Sequence, residues 1–159
     1  MKNLCFVISL IVSVNVFADP VLENYCETHH GTLLSTWTCP SSGHVRTNES
    51  CLLHNSKGQP LVTDGCTGVQ GTTYGDTFFK ACVIHDFCYH NEPGLSGKQK
   101  ADCDDELLMN IQKICGGVTL FGCQTAAEAF YLAVTAGGDF GPWECEKDNF
   151  AYPWSMDQL

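Results

Sequence analysis

The residues best suited to chemistry lie between Cys82 and Tyr89, in the sequence Cys-Val-Ile-His-Asp-Phe-Cys-Tyr. If this segment is helical, Cys82, His85 and Tyr89 share one face, because residues three and four apart are neighbours on a helix. A histidine such as His85 can accept a proton near neutral pH. The carboxylate of Asp86 beside it can hold a hard cation. The segment therefore indicates proton transfer next to a metal ion.

Two further features could complete such a site. Asp104 directly follows Cys103, so a disulfide to Cys103 would bring this carboxylate beside the first helix. Taken alone, the acidic run 102–106 is typical of a solvent-facing charge cluster. Upstream, residues 63–75 contain four glycines and few large side chains. The backbone of such a loop can approach a ligand closely, and its carbonyl oxygens suit calcium.

Helices are the elements that must position these residues, and the pattern predicts three of them. The first spans 77–90, with Asp76 as its N-cap, and ends at a segment containing a proline and two glycines. The second spans 98–114, where leucine and isoleucine recur at the helical period. The third begins at Thr125, which has capping-box spacing to Glu128, and closes at a glycine pair. The fold class is thus mainly α.

The chain before these helices is different in composition. Residues 19–62 are rich in Ser, Thr, Gly, Asn and His and show no sustained period. We expect an irregular N-terminal segment there, with at most short strands. Asn48-Glu49-Ser50 within it is a potential glycosylation acceptor, which suits a secreted surface loop.

Length, charge and cysteine content exclude several classes of protein. The 159 residues suit one domain, and the net charge of −10 argues against coating nucleic acid phosphates or binding anionic membranes by charge alone. Eleven cysteines occur without a single Cys-x-x-Cys pair, which excludes zinc ribbons and thioredoxin-like redox motifs. A disulfide framework remains, and it implies an oxidising compartment.

The N-terminus predicts export. Residues 1–18 combine Lys2, an apolar run over 4–17 and small side chains before a cut after Ala18, which is typical of a secretory signal peptide. Cleavage there leaves ten cysteines, an even number that allows complete pairing. The apolar run is too short for a membrane span, and no second run follows, so we expect a secreted, extracellular protein with no transmembrane segment.

At the motif 82–89 and the pair Cys103-Asp104, the sequence resembles the secreted phospholipase A2 enzymes, in particular their compact bacterial, fungal and conodipine-like members. Asp64-Gly65-Cys66 is similar to the Asp-x-Cys of their calcium loop, and 123–134 is similar to their last helix. The resemblance covers about residues 61–137. It implies a disulfide-rich fold with two antiparallel catalytic helices, a third helix and a Gly-rich calcium loop.

The resemblance also implies roles for individual residues. His85 would be the general base that takes a proton from water, Asp104 would fix its tautomer, and Tyr89 would steady Asp104. Ca²⁺ would be the cofactor, held by Asp86 with the Asp64 and Gly65 region, and would polarise the sn-2 ester carbonyl. The reaction would release a fatty acid and a lysophospholipid without an acyl-enzyme.

The same resemblance implies three disulfides, whereas four cysteines are left with three possible pairings. The implied bridges are Cys66–Cys82, Cys88–Cys103 and Cys115–Cys123; the cysteines left open are Cys26, Cys39, Cys51 and Cys145.

We therefore expect a monomeric single domain over 19–159, comprising an irregular segment 19–60, a catalytic core 61–137 and an aromatic tail 138–159. Its substrate would be phospholipid aggregates or a membrane surface, and nucleic acid would not be a partner. The tail aromatics could pack on the helices or insert into a lipid interface. The rival interpretation is a non-catalytic, phospholipase-like binding protein or toxin. The joint presence of His85, Asp86 and Asp104 favours the enzyme, because a pure binder needs none of them.

Overall fold

The protein is described here by a computed structural model that covers residues 19–137 except 41, 42, 44, 59, 93 and 95. The predicted signal peptide 1–18 and the aromatic tail 138–159, which includes Cys145, lie outside the described residues. Within them, no helix is long and apolar enough to cross a membrane.

The described residues form a mainly α, disulfide-rich fold, as the sequence predicts. One helix and then five short strands come first among the described residues, and the three longest helices follow one another. In chain order the elements are α1 Pro20–Thr28, β1 Thr32–Leu34, β2 Trp37–Thr38, β3 Val45–Arg46, β4 Ser50–His54, β5 Pro60–Thr63, α2 Thr73–Asn91, α3 Lys100–Gly117 and α4 Cys123–Gly137.

The prediction of an irregular segment over 19–60 is wrong for its first part, which forms helix α1. Asp19 is the N-cap and accepts a hydrogen bond from the Val21 amide at 3.0 Å, and Pro20 occupies the first turn. The nine residues of α1 are too few to display a clear period, and its stability comes from burying Leu22 and Tyr25.

The strands are short, as expected, and form two antiparallel sheets. β1, β4 and β5 make a three-stranded sheet in the order β1-β4-β5, and β2 pairs only with β3. In the smaller sheet Trp37 lies opposite Arg46 and Thr38 opposite Val45. β5 ends at Thr63, directly before the predicted calcium loop.

Helix α2 begins four residues earlier than predicted, at Thr73 instead of Thr77. The N-cap is Thr72, whose hydroxyl accepts from the Gly75 amide at 3.0 Å, so the prediction of Asp76 as N-cap is wrong. Gly75 lies inside the helix, and the position needs glycine because any side chain there would collide with the Val69 carbonyl. It is a point of close approach and not a helix breaker.

The boundaries of α3 and α4 also differ from the predicted ones. α3 runs from Lys100 to Gly117 instead of 98–114, and Gln99 forms a capping box with Asp102. α4 begins at Cys123, so the predicted start at Thr125 is wrong by two residues. The disulfide of Cys123 fixes the first turn of this helix, a tertiary constraint that local capping signals do not contain.

Helix α2 lies between two apolar cores, and thirteen of its nineteen residues are buried. One face packs on α1 and the three-stranded sheet through Phe79, Val83 and Phe87. Another face packs on α3 and α4 through residues that include Phe78 and Ala81. A helix buried on several sides is apolar nearly all round, which explains the absence of a single apolar stripe in its sequence.

Disulfides connect these layers, and all three predicted bridges are confirmed. The four bridges seen among the described residues are Cys26–Cys51, Cys66–Cys82, Cys88–Cys103 and Cys115–Cys123. Cys26–Cys51 selects one of the three open pairings and joins α1 to β4. Cys39 is also disulfide-bonded.

Candidate active site

Helices α2 and α3 bring His85 and Asp104 into contact. The His85 Nε2 and Asp104 Oδ1 atoms are 2.8 Å apart, and both residues are buried. The Cys88–Cys103 disulfide joins the same two helices within one turn of this pair. Because an ionised carboxylate can only accept, Nε2 is the donor, and Nδ1 of His85 is left as a proton acceptor.

Asp104 has two further partners. The Tyr89 hydroxyl donates to the same Oδ1 atom, and the Lys100 ammonium lies 3.3 Å from Oδ2. Burial alone raises the pKa of the Asp104 carboxyl, but the hydrogen bonds from His85 and Tyr89, with the charges of His85 and Lys100, hold that pKa below its usual value. Sequence analysis missed Lys100, although its position four residues before Asp104 on a helix is a signal for such a pair.

Asp86, next to His85 on α2, faces the end of β5 and the loop after it. Its Oδ2 atom accepts three hydrogen bonds, from the Thr63 hydroxyl at 2.6 Å, the Asp64 amide at 3.0 Å and the Gly65 amide at 3.1 Å. These contacts fix the loop against α2. Thr63 is a site residue that sequence analysis did not identify, because only the strand-to-helix packing places it here.

The electrostatic environment of Asp86 is opposite to that of Asp104. Burial and the nearby charge of Asp64 raise the pKa of the Asp86 carboxyl well above its usual value. The Arg46 charge and the donors from Thr63 and Asp64 lower it, without compensating fully. The protein's own donors and charges therefore do not offset the cost of burying this carboxyl.

Asp64 is itself buried and forms an ion pair with Arg46. Its Oδ2 atom lies 3.1 Å from Arg46 Nη2, and the Asp64 side chain is 1% exposed. This contact does not have the geometry of a hydrogen bond, so Asp64 Oδ2 has no hydrogen-bond partner among the described residues. The other terminal nitrogen of Arg46, Nη1, has none there either. Arg46 was not identified from the sequence, although it is the only arginine in an acidic chain.

Gly65 needs to be glycine at this point of the loop. Its φ is +65°, a left-handed conformation, and a Cβ atom there would lie 2.6 Å from the Phe79 ring. Its carbonyl oxygen accepts from the Thr67 amide at 3.1 Å, and the next residue, Cys66, is bonded to Cys82 on α2. The loop is thus held on α2 by packing, hydrogen bonds and a disulfide.

These residues fit a calcium ion, although only part of its ligand shell can be named. Ca²⁺ prefers carboxylate and carbonyl oxygens. Asp64 and Asp86 supply two carboxylates. The Asp64 Oδ2 atom accepts no hydrogen bond from the described residues, but it lies 3.1 Å from Arg46 Nη2, so calcium would share this oxygen with the guanidinium. No group of three or more His, Cys, Asp or Glu side chains able to hold a metal occurs among the described residues. The remaining ligands would have to be backbone carbonyls and water.

A cavity of about 440 Å³ opens beside these groups. Polar residues of the site line one part of it, and the rest is apolar surface from α3 and α4. The polar lining includes Arg46, Asp64, His85, Asp86 and Tyr89; the apolar lining includes Leu107, Ala129, Phe130, Ala133 and Val134. The arrangement can therefore hold an alkyl chain next to a proton acceptor and two carboxylates.

Comparison with known proteins yields one match. A family model described as prokaryotic phospholipase A2 matches residues 47–138, which is more than half of the chain and includes all six predicted site residues. Arg46 and the elements before it lie outside the matched region. No curated protein and no solved structure matches the chain.

Proposed function

This chain belongs to the prokaryotic phospholipase A2 family, and from that premise we propose that it hydrolyses the sn-2 ester of glycerophospholipids in a calcium-dependent reaction. The products are a fatty acid and a lysophospholipid. The observation that carries the proposal is the contact of His85 Nε2 with Asp104 at 2.8 Å, beside a cavity that Asp64 and Asp86 also line.

In this proposal His85 is the general base and water is the nucleophile. Asp104 accepts a hydrogen bond from Nε2–H, which leaves Nδ1 to take a proton from the attacking water. Tyr89 donates to Asp104 and limits its rotation. Because the pair is buried, its electrostatic contacts are screened less than they would be in bulk water.

Asp86 and Asp64, together with the Gly65 region, are the residues we assign to calcium. When bound, calcium supplies positive charge that stabilises the oxyanion formed at the ester carbonyl. The chain's contribution is to hold two carboxylates near each other, with Asp86 fixed by donors from Thr63, Asp64 and Gly65.

The substrate class follows from the family and the cavity. Its apolar lining from α3 and α4 suits an acyl chain, and phospholipid aggregates or a membrane surface would present such chains. The disulfides suit an oxidising, extracellular location. We include in the proposal that residues 1–18 are a signal peptide and that 19–159 act as a monomeric single domain.

The experiment that tests the proposal is fatty-acid release from mixed phosphatidylcholine micelles by the refolded mature chain, in calcium and then in excess chelator. Labels at sn-1 and sn-2 distinguish the ester that is cut. We expect calcium-dependent release of the sn-2 label only. No release from a folded, fully bridged protein would instead favour the non-catalytic binding protein.

A variant of His85 tests its assignment as the general base. His85→Gln should lower kcat by about 10²- to 10⁴-fold, the usual contribution of a positioned acid or base. The matched control is His54→Gln, because His54 is exposed on β4 and away from the cavity. Substantial turnover by a folded His85→Gln protein would contradict the assignment.

A further inference from the structure

We propose that Arg46 is the group that binds the phosphate of the phospholipid substrate. The inference rests on the proposed function and extends it, because it names a recognition residue for the head-group side of the substrate. Arg46 precedes the family-matched residues 47–138, so the match itself does not include this residue.

The first observation is an unused donor. One guanidinium nitrogen, Nη2, lies 3.1 Å from Asp64 Oδ2, whereas Nη1 is buried and has no hydrogen-bond partner among the described residues. Buried polar groups are nearly always hydrogen-bonded, so Nη1 can take a partner from the cavity, either water or a ligand. The ion pair with Asp64 keeps the guanidinium beside the cavity, and the Arg46 side chain is 15% exposed.

The second observation is the charge distribution. Asp64 and Asp86 line the cavity, and the protein carries a net charge of −10. A calcium ion on these two carboxylates would only balance their charge, so an anionic phosphodiester would still gain from a cation of the protein nearby. Arg46 is the only lysine or arginine among the described cavity-lining residues, and a guanidinium forms strong, paired hydrogen bonds with phosphate oxygens.

The third observation is the relation of Arg46 to the reacting ester. The phosphate and the sn-2 ester are carried by adjacent carbons of glycerol, so a phosphate-binding group must lie near the residue that activates water. Arg46 and His85 line the same cavity. Strand β3, which carries Arg46, pairs with β2, and this hairpin brings the guanidinium to the site.

The uniqueness of Arg46 allows a direct measurement on the wild-type protein. Because the chain contains one arginine, its guanidinium gives one side-chain Nε–H resonance in a ¹⁵N-correlated NMR spectrum. The probe is a short-chain phosphatidylcholine with ether links in place of both esters, added in calcium; the control is the same diether glycerol without phosphate. We expect the resonance to shift with the phosphate probe only. No shift, or the same shift with both probes, would overturn the proposal.

A variant tests the same contact by affinity. Arg46→Gln should weaken binding of the diether phosphatidylcholine about 10- to 100-fold, as expected for a charge-assisted hydrogen-bonded pair, and leave binding of the phosphate-free diether unchanged. Lys57→Gln is the control, because it removes the same charge from an exposed residue. Equal affinity of wild type and Arg46→Gln, or equal loss for both probes, would show that Arg46 does not bind phosphate.

These measurements need no turnover, so they separate this inference from the proposed function. A phosphate-specific shift in a protein that releases no fatty acid would support Arg46 and contradict the enzyme. Calcium-dependent hydrolysis by a protein whose Arg46 resonance does not shift would support the enzyme and contradict the role of Arg46.

Discussion

At the scale of single residues, the site holds two aspartates in contrasting environments. Hydrogen bonds and positive charge lower the pKa of Asp104, whereas burial and Asp64 raise the pKa of Asp86. Asp104 is thereby ionised by the protein's own groups and can orient His85. For Asp86 the nearby donors and Arg46 do not compensate fully, and a bound cation would lower its pKa, which is consistent with the metal role that we propose.

A prediction follows for Asp86→Asn. The amide oxygen can still accept from Thr63, Asp64 and Gly65, so we expect the free energy of unfolding without calcium to be unchanged or higher. Calcium affinity, measured by titration calorimetry, should fall by at least about tenfold, because one of two carboxylate ligands is lost. The control is Asp76→Asn, an exposed position on the same helix. An unchanged calcium titration for Asp86→Asn would remove Asp86 from the metal site.

The variant Tyr89→Phe tests the hydrogen bond that Tyr89 donates to Asp104. The variant removes one of the hydrogen bonds to Oδ1 and keeps the ring, which packs at 4.1 Å from the His85 ring. We expect kcat to fall about tenfold, which corresponds to roughly 1.4 kcal/mol of transition-state stabilisation, with the fold retained. Tyr74→Phe, which removes a hydroxyl contact to the Phe121 carbonyl, should keep wild-type kcat. Equal kcat values for the two variants would mean that the Tyr89 hydroxyl has no role.

At the scale of elements, helix α2 determines the site geometry because it contacts α3 and the end of β5 at the same time. Successive residues on a helix point about 100° apart, so His85 meets α3 and Asp86 meets the end of β5. Two disulfides fix these contacts, Cys88–Cys103 on the α3 side and Cys66–Cys82 on the loop side. One helix thus joins the two parts of the candidate site to which we assign proton transfer and calcium binding.

Two disulfides on opposite sides of α2 should affect stability similarly, but only the bridge between α2 and α3 should affect kcat. Replacing both Cys88 and Cys103 by Ser opens a link of sequence separation 15 and should cost about 3 kcal/mol of stability. It should also lower kcat below the melting temperature, because the helices that carry His85 and Asp104 lose their connection. Both quantities are accessible from thermal unfolding followed by circular dichroism and from the micelle assay.

The matched control is the pair Cys26 and Cys51, which joins α1 to β4 on the other side of α2. Its replacement by Ser should lower stability to a similar or greater extent, since the sequence separation is 25. The folded variant should keep its kcat. Equal loss of kcat in both double variants would contradict a specific role for the α2–α3 bridge.

At the scale of the whole molecule, the N-terminal strands cover the end of α2. Trp37 of β2 contacts His90 of α2 with ring centroids 4.8 Å apart, and Arg46 lies opposite Trp37 in the small sheet. His90 is 1% exposed, and among the described residues neither of its ring nitrogens has a hydrogen-bond partner. Burial, and then the charge of Arg46, lower the pKa of His90 to about 3.

Because the pKa of His90 is lowered in the folded protein, we expect the free energy of unfolding to decrease in acid. Between the ordinary pKa of 6.5 and about 3, the unfolded chain binds a proton at His90 that the folded protein does not bind, so stability decreases as pH falls. The contribution is about 1.4 kcal/mol for each pH unit in that window and vanishes above it. In urea unfolding from about pH 7 to pH 4.5, His90→Phe should lose stability less steeply than wild type. His54→Phe should follow the wild-type slope, and parallel slopes for all three proteins would contradict the prediction.

The sequence by itself predicted the mainly α class, the family and three disulfides of this protein, and these predictions are confirmed. The spacing of Cys82, His85, Asp86 and Tyr89 is local information, because helix geometry converts it directly into faces. The roles assigned to the six site residues stay predictions, although the structure brings His85, Asp104 and Tyr89 into contact and sets Asp64 and Gly65 against Asp86.

Tertiary structure decided what local patterns do not encode. Helix α1 is stable because it buries Leu22 and Tyr25 against the sheet and α2, and the start of α2 depends on the approach of the Val69 carbonyl to Gly75. Arg46 reaches Asp64 across 18 residues of chain, and it lies on a strand whose pairing register no single-sequence period specifies. Long-range packing therefore gave the candidate site its only arginine, because such contacts depend on the positions of whole elements and not on the residues next to them.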